Sequence, residues 1–237
     1  IAVFGFNRVT YIHEIDIIPA SGPFIAYISN TVNGIAGGQV HYGTEVNLGV
    51  QLRNLGVENA TNIVATLSST SPYVTITDGT ESYGIIAPDQ VKMIDNAFAF
   101  SVSNDVPNNT QLPFTLTITA DEGNWESSFN LNALAPSFSI GNFTVNDASG
   151  NGNGRLDPGE TADLKVSFTN SGLSQAANAL ANLSLNSPFV TVNSGSFESA
   201  TVNAGQTVEA IFNITVSGGT PVGQAIPFTV NVAAGTY

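Results

Sequence analysis

Apolar residues alternating with period two, turn residues at short intervals and a module that recurs once predict an all-β protein of two tandem immunoglobulin-like antiparallel β-sandwich domains. Val46, Leu48, Val50 and Leu52 alternate with Asn47, Gly49, Gln51 and Arg53. Phe98, Phe100 and Val102 repeat the pattern, as do Phe114, Leu116 and Ile118, so one face of each strand is assigned to a core. Gly, Pro, Asn and Ser interrupt these runs, and no long stretch combines a 3.6-residue period with helix caps. Seven or so strands in about 100 residues is the density of an immunoglobulin-like sandwich, with a closed barrel as the alternative.

The recurrence is read at a spacing of 116 residues, the distance from Leu48 to Leu164. Val50 falls on Val166, Leu52 on Phe168, Asn54 on Asn170, Gly56 on Gly172, Pro72 on Pro188, Gly79 on Gly195 and Gln90 on Gln206. After a two-residue slip the spacing is 114, and Phe98 meets Phe212, Pro107 meets Pro221 and Phe114 meets Phe228. A period this long is a whole domain with its own core, not a solenoid unit. The expected division is a lead-in over residues 1–22, a first sandwich over 23–136 and a second over 137–237. The lead-in, with Ile15, Ile17 and Ile18 ending at Pro19, has no partner in the second copy and reads as the tail of a preceding domain or an added edge strand.

Composition narrows the function. Of 237 residues, 42% are hydrophobic and 10% charged, enough apolar surface for two packed cores under a surface of Asn, Ser, Thr and Gly. Five basic against 18 acidic residues give a net charge of −13, which repels nucleic acid and anionic membrane surfaces. No run reaches the roughly 18 apolar residues of a membrane-inserted helix. The absence of Cys removes disulfides and thiol chemistry and suits an extracellular bacterial protein. A start at Ile1, without Met or a basic signal head, reads as a mature or excised piece of something longer.

The most specific motif is S-G-N-G-N-G-R-L-D-P-G-E, Ser149 to Glu160. A hard cation that gathers six to eight oxygens needs donors on alternate residues, a carbonyl at the seventh position, a turn at the sixth and a closing carboxylate. Those roles fall to Ser149, Asn151, Asn153, the Arg155 carbonyl, Asp157 and Glu160, with Gly154 turning the chain and Leu156 facing inward. Ca2+ is the expected ion. Neutral Ser and Asn stand where Asp is common, and Asp147 is the alternative to Ser149. The flanking alternation puts the loop between strands, not helices. In the first copy the positions of Asn153, Asp157 and Glu160 hold Gly37, His41 and Thr44. Either that hairpin closes without metal, or Asn33 and Glu45 are recruited differently.

A catalytic constellation is absent from the pattern: no G-x-S-x-G, no H-E-x-x-H, no Cys. His13 and His41 read as solvated or edge-strand residues. Gly150, Gly152 and Gly154 precede no helix, so they lack the dipole of a phosphate cradle. Asp78 with Glu81, and Asp121 with Glu122, read as turn residues. Trp125 and Tyr83 read as core or rim packing, with a sugar-stacking platform as the alternative if both face solvent.

The lead-in Y-I-H-E-I-D-I-I-P-A-S-G-P-F, the run G-V-E-N-A-T-N-I-V-A-T-L-S-S-T-S-P-Y-V-T-I-T-D and the segment G-N-G-N-G-R-L-D-P-G-E-T-A-D-L together resemble the region after the catalytic domain in gingipain-like secreted cysteine peptidases. The resemblance implies a noncatalytic immunoglobulin-like part of a protein exported across the outer membrane, with neighbouring domains of a longer chain as partners. The family's nucleophile has no Cys to fall on. The expected function is a calcium-stabilised spacer, stabiliser or docking region on a secreted or cell-surface protein. The alternative is an adhesive module for surface glycan or protein. Finally, Ser127 to Leu134, with Phe129, Leu131 and Ala133 on one face, has no counterpart after Tyr237. The second copy is expected to end one strand early, with a continuing chain or another chain filling the edge.

Overall fold

The computed structural model describes residues 2–3, 11–12 and 21–237. Ala2–Val3 (β1) and Tyr11–Ile12 (β2) pair antiparallel; His13, Ile15, Ile17, Ile18 and Pro19 lie outside the described residues. The next strands are β3 (Ile25–Val32), β4 (Ile35–Ala36), β5 (Val40–His41), β6 (Glu45–Asn54) and β7 (Ala60–Ser69). They are followed by β8 (Val74–Asp78), β9 (Thr80–Ile86), β10 (Val91–Val102), β11 (Thr110–Ala120) and β12 (Gly123–Leu134). The remainder is β13 (Phe138–Asn146), β14 (Thr161–Asn170), β15 (Ala176–Leu185), β16 (Val190–Ser194), β17 (Ser196–Val202), β18 (Thr207–Val216) and β19 (Phe228–Ala233). The described residues contain no helix, so the protein is all-β.

Two five-stranded sheets, β4-β3-β6-β10-β8 and β5-β12-β11-β7-β9, enclose one apolar cluster. A four-stranded sheet, β13-β14-β18-β16, and a three-stranded sheet, β17-β15-β19, enclose another. Apart from the parallel contact of β12 with β5, the ladders are antiparallel. The alternation explains the layering: Leu48, Val50, Leu52, Phe98, Phe100, Phe114, Leu116 and Ile118 are each 1% exposed or less. Burial of such side chains contributes about 1.5–3 kcal/mol apiece.

The spacing seen in the sequence is also a spacing of strands. β6 and β14 share bounds at 116 residues, as do β7 and β15, β8 and β16, and β9 and β17. The pairing of Ser69 with Phe114 recurs as Leu185 with Phe228. Strand β12 has no counterpart among the described residues, and β19 pairs with β15 alone. The first half contains β4 and β5 where the second half has the 147–160 loop. Asn33 and Gly34, at φ 50° and 77°, make the tight turn of the β3-β4 hairpin, as an Asn-Gly pair favours. Asn33 Oδ1 accepts from the Asn47 N–H at 2.9 Å and Glu45 accepts from the Thr77 hydroxyl at 3.4 Å, so these two side chains serve separate local contacts.

One buried side chain closes each half at the same place. Asn54 Oδ1 accepts from the N–H groups of Phe24 (3.0 Å) and Gly56 (2.9 Å), while its Nδ2 donates to the carbonyls of Glu58 (2.7 Å) and Ile86 (3.0 Å). Asn170 repeats this with Ser137 (3.2 Å), Gly172 (3.0 Å), Ser174 (2.9 Å) and Val202 (3.0 Å). Both side chains are 0% exposed, so each amide has its full complement of partners away from water. Glycine follows two positions later because a Cβ at Gly56 would collide with the Gly22 carbonyl, and one at Gly172 with the Ala135 carbonyl.

Candidate functional site

The loop between β13 and β14 folds around two carboxylates. Asp147 is 3% exposed and Glu160 8%. Asp147 accepts from the backbone N–H of Asn153 at 2.8 Å and of Gly154 at 3.1 and 3.2 Å to its two oxygens. Glu160 accepts from the N–H of Asn151 at 3.1 Å and of Asp157 at 3.2 Å. Its backbone is fixed to β18, because the Val216 N–H donates to the Glu160 carbonyl at 2.8 Å. Gly152, Gly154 and Gly159 take φ of 70°, 74° and 85°, a region that disfavours other residues. A Cβ on Gly150 would run into the Glu160 carboxylate.

The remaining donors close on themselves. Asn151 Nδ2 and Asn153 Nδ2 donate to Asp157 Oδ2 at 2.6 and 2.7 Å. Their oxygens accept from the N–H groups of Asn153 (3.0 Å) and Arg155 (2.8 Å). These amides, Asn151 first and then Asn153, with Arg155 adding to them, hold the Asp157 carboxyl below the usual aspartate range. Ser149 turns away and donates to the Thr161 carbonyl at 3.4 Å, and Leu156 packs against the second cluster. Asp147, Asn151, Asn153, Asp157 and Glu160 thus form one network, with Asp147 in the central place that the motif count assigns to Ser149. Among the described residues no three His, Cys, Asp or Glu side chains group as a metal cluster of their own. The donor set is oxygen, which matches a hard cation. Ion pairs in the structure join Arg53 to Asp89 and Lys165 to Glu209, so neither Asp147 nor Glu160 is neutralised by a basic side chain among the described residues.

Other candidates resolve differently. Tyr83 and Trp125 pack as read, not as a sugar platform: Tyr83 is 0% exposed and its hydroxyl donates to the Val50 carbonyl at 2.8 Å, while Trp125 on β12 packs against the first cluster. Burial pushes the Tyr83 hydroxyl pKa well up. Cross-sheet satisfaction of that hydroxyl is a tertiary contact with no signature in the local sequence. Asp121 and Glu122 occupy the β11-β12 turn, where Thr61 donates its hydroxyl (2.6 Å) and N–H (2.8 Å) to Glu122. His41 stands half-buried on the edge strand β5. Its Nδ1 lies 2.9 Å from the hydroxyl of Ser174, which is 5% exposed.

That contact belongs to a junction between the halves, which the sequence did not reveal. The Tyr42 hydroxyl donates to the Gln175 carbonyl at 3.1 Å, and the Leu173 N–H donates to Asn108 Oδ1 at 3.2 Å. Thr236 donates to the Asn104 carbonyl and Tyr237 to the Val106 carbonyl, both at 2.7 Å. Tyr42 and Tyr237 meet edge to face at 5.0 Å. With Ser174 enclosed here, its pairing with His41 pins two segments together.

No family model matches the chain, and no curated protein matches it. Among solved structures, the secreted serine protease VesC from Vibrio cholerae is similar at 14% identity and a TM-score of 0.28, over 87% of this chain and 51% of that one. The chain thus spans about half the length of VesC. A protein of unknown function from Porphyromonas gingivalis W83 is similar at 11% identity and a TM-score of 0.29, over 82% of this chain and 83% of the other. These likenesses carry no functional assignment. Among the described residues no helix is long and apolar enough to cross a membrane.

Proposed function

We propose that this chain is a noncatalytic pair of immunoglobulin-like sandwich domains, stabilised by calcium in the second, that serves as a spacer or docking region of a secreted peptidase-like protein. The observation that carries the calcium reading is the state of Asp147 and Glu160, two carboxylates under 9% exposed whose partners are backbone N–H groups of a glycine-rich loop. Buried carboxylates without a cation are costly, and a bound cation relieves that cost. The residues that would hold the ion are Asp147, Asn151, Asn153, Asp157 and Glu160, with the Arg155 carbonyl. Neutral Asn donors put the affinity in the range of extracellular modules, about 10⁻⁴ to 10⁻³ M. The repeated Asn54 and Asn170 closures and the junction at Tyr42 and Tyr237 support a spacer of fixed geometry.

Melting in millimolar calcium and in chelator tests this reading. The melting temperature rises with calcium, and Glu160→Gln and Asp147→Asn each remove the rise, while Thr44→Ala in the first half leaves it intact. Unchanged melting together with no heat of binding would sink the calcium reading.

A further inference from the structure

In the first half, Phe129 of β12 is stacked between two rings: Tyr27 at 4.8 Å and 8°, and Phe114 at 5.4 Å and 14°. By strand pairing Ile140 takes the place of Tyr27, Phe143 that of Asn30, whose amide bonds the Tyr27 hydroxyl, and Phe228 that of Phe114, so the two rings that face this edge are Phe143 and Phe228. No strand separates them, and the two rings meet edge to face at 5.5 Å and 84°. Phe143 is 58% exposed. Phe114, Leu116 and Ile118 are buried, whereas their counterparts Phe228, Val230 and Val232 remain half-buried. The backbone shows the same deficit. Residues 110–113 of β11 pair with β12 alone, because the ladder to β7 starts at Phe114. Their counterparts, residues 224–227, belong to no strand, and β19 begins only at Phe228, where β15 supplies a partner.

We propose that the groove between β13 and β19 accepts one extended polypeptide strand of the kind β12 provides in the first half, with an aromatic side chain packed on Phe228 beside Phe143. The strand adds antiparallel to β19, as an extended peptide adds to an open sheet edge. In the register of β12, a residue in the place of Phe129 lies opposite Phe228, one in the place of Trp125 opposite Val232 and one in the place of Leu131 opposite Ile226. A second copy of the chain is a poor occupant. Its β12 is already bonded along its whole length to β11, and its β19 has six residues, too few to span 224–233.

The test uses a synthetic peptide of the sequence Gly123–Leu134 and the intact chain, in chelator, so that its outcome is separate from the calcium reading. Binding is followed by fluorescence anisotropy of a labelled peptide and by amide exchange. Saturable binding of one peptide per chain is expected, with slowed exchange across residues 224–233. A Phe129→Ala peptide binds roughly tenfold or more weakly, as loss of a buried ring predicts. Phe143→Ser in the chain, at an exposed position that leaves melting nearly unchanged, has the same effect. Absence of binding at millimolar peptide, or equal binding of the Phe129→Ala peptide, overturns the proposal. So does self-association of the chain that Phe143→Ser abolishes, since that assigns the groove to a second copy.

Discussion

Asn170 bonds four backbone groups from three segments, and Asn54 does the same in the first half. Removing such an amide strands buried donors and acceptors at about 1–3 kcal/mol each, so Asn170→Ala is expected to lower stability by roughly 3–5 kcal/mol in denaturant unfolding. Asn170→Asp is expected to fail similarly, because a carboxylate faces the carbonyls of Ser174 and Val202 without a proton to donate. A loss below about 1 kcal/mol would contradict the closure described here. At Glu122, the Thr61 hydroxyl and then the Thr61 N–H hold the carboxyl below its ordinary value of 4.5. Its contribution to stability is therefore present above that value and lost as pH falls through the lowered one. Melting at acid pH checks this: Glu122→Gln is expected to flatten the decline relative to the parent chain. The sequence shows Asn54 and Asn170 as matched positions and no more, since Asn followed by Gly two residues later also describes an ordinary turn. For Tyr83 the packing was legible and the partner of its hydroxyl was not.

At the scale of elements, alternation located the principal strands, because a one-sided strand must place every second residue in the core. The Phe129, Leu131 and Ala133 face of β12 was legible, and the structure pairs that strand with β11 from Gly123 to Ala133. Bulges were not legible: Asn62 and Asn178, 116 residues apart, both take φ 53°, and an isolated Asn signals a left-handed residue only weakly. In the loop, the motif identified the glycine turn and the acids. The inward Asp147 and outward Ser149 depend on where β13 ends, which the sequence locates only to within a few residues. Gly154→Ala, at φ 74°, is expected to cost about 1–2 kcal/mol in denaturant unfolding. A neutral result would mean that this turn does not fix the loop.

Across the whole molecule, the junction is what the sequence could not foretell, since His41, Tyr42, Asn108, Ser174 and Tyr237 meet only after both halves have folded. Burial, followed by Tyr42 and Asp105, pushes the Tyr237 hydroxyl up to about 12 from an ordinary 10.0. The protonated hydroxyl is the one that donates to Val106, so its contribution is complete below the ordinary value and lost as pH rises through about 12. Phenolate absorbance resolves this late titration, and Tyr237→Phe is expected to remove it. The central claim concerns the loop, and a calcium titration followed by the backbone amides of Asn151, Asn153, Gly154 and Asp157 tests it most directly. The account predicts saturable shifts at millimolar calcium confined to residues 147–160, with the Asn151 and Asn153 side-chain amides changing environment as Asp157 turns to the ion. Amides that stay in place throughout the titration would contradict it.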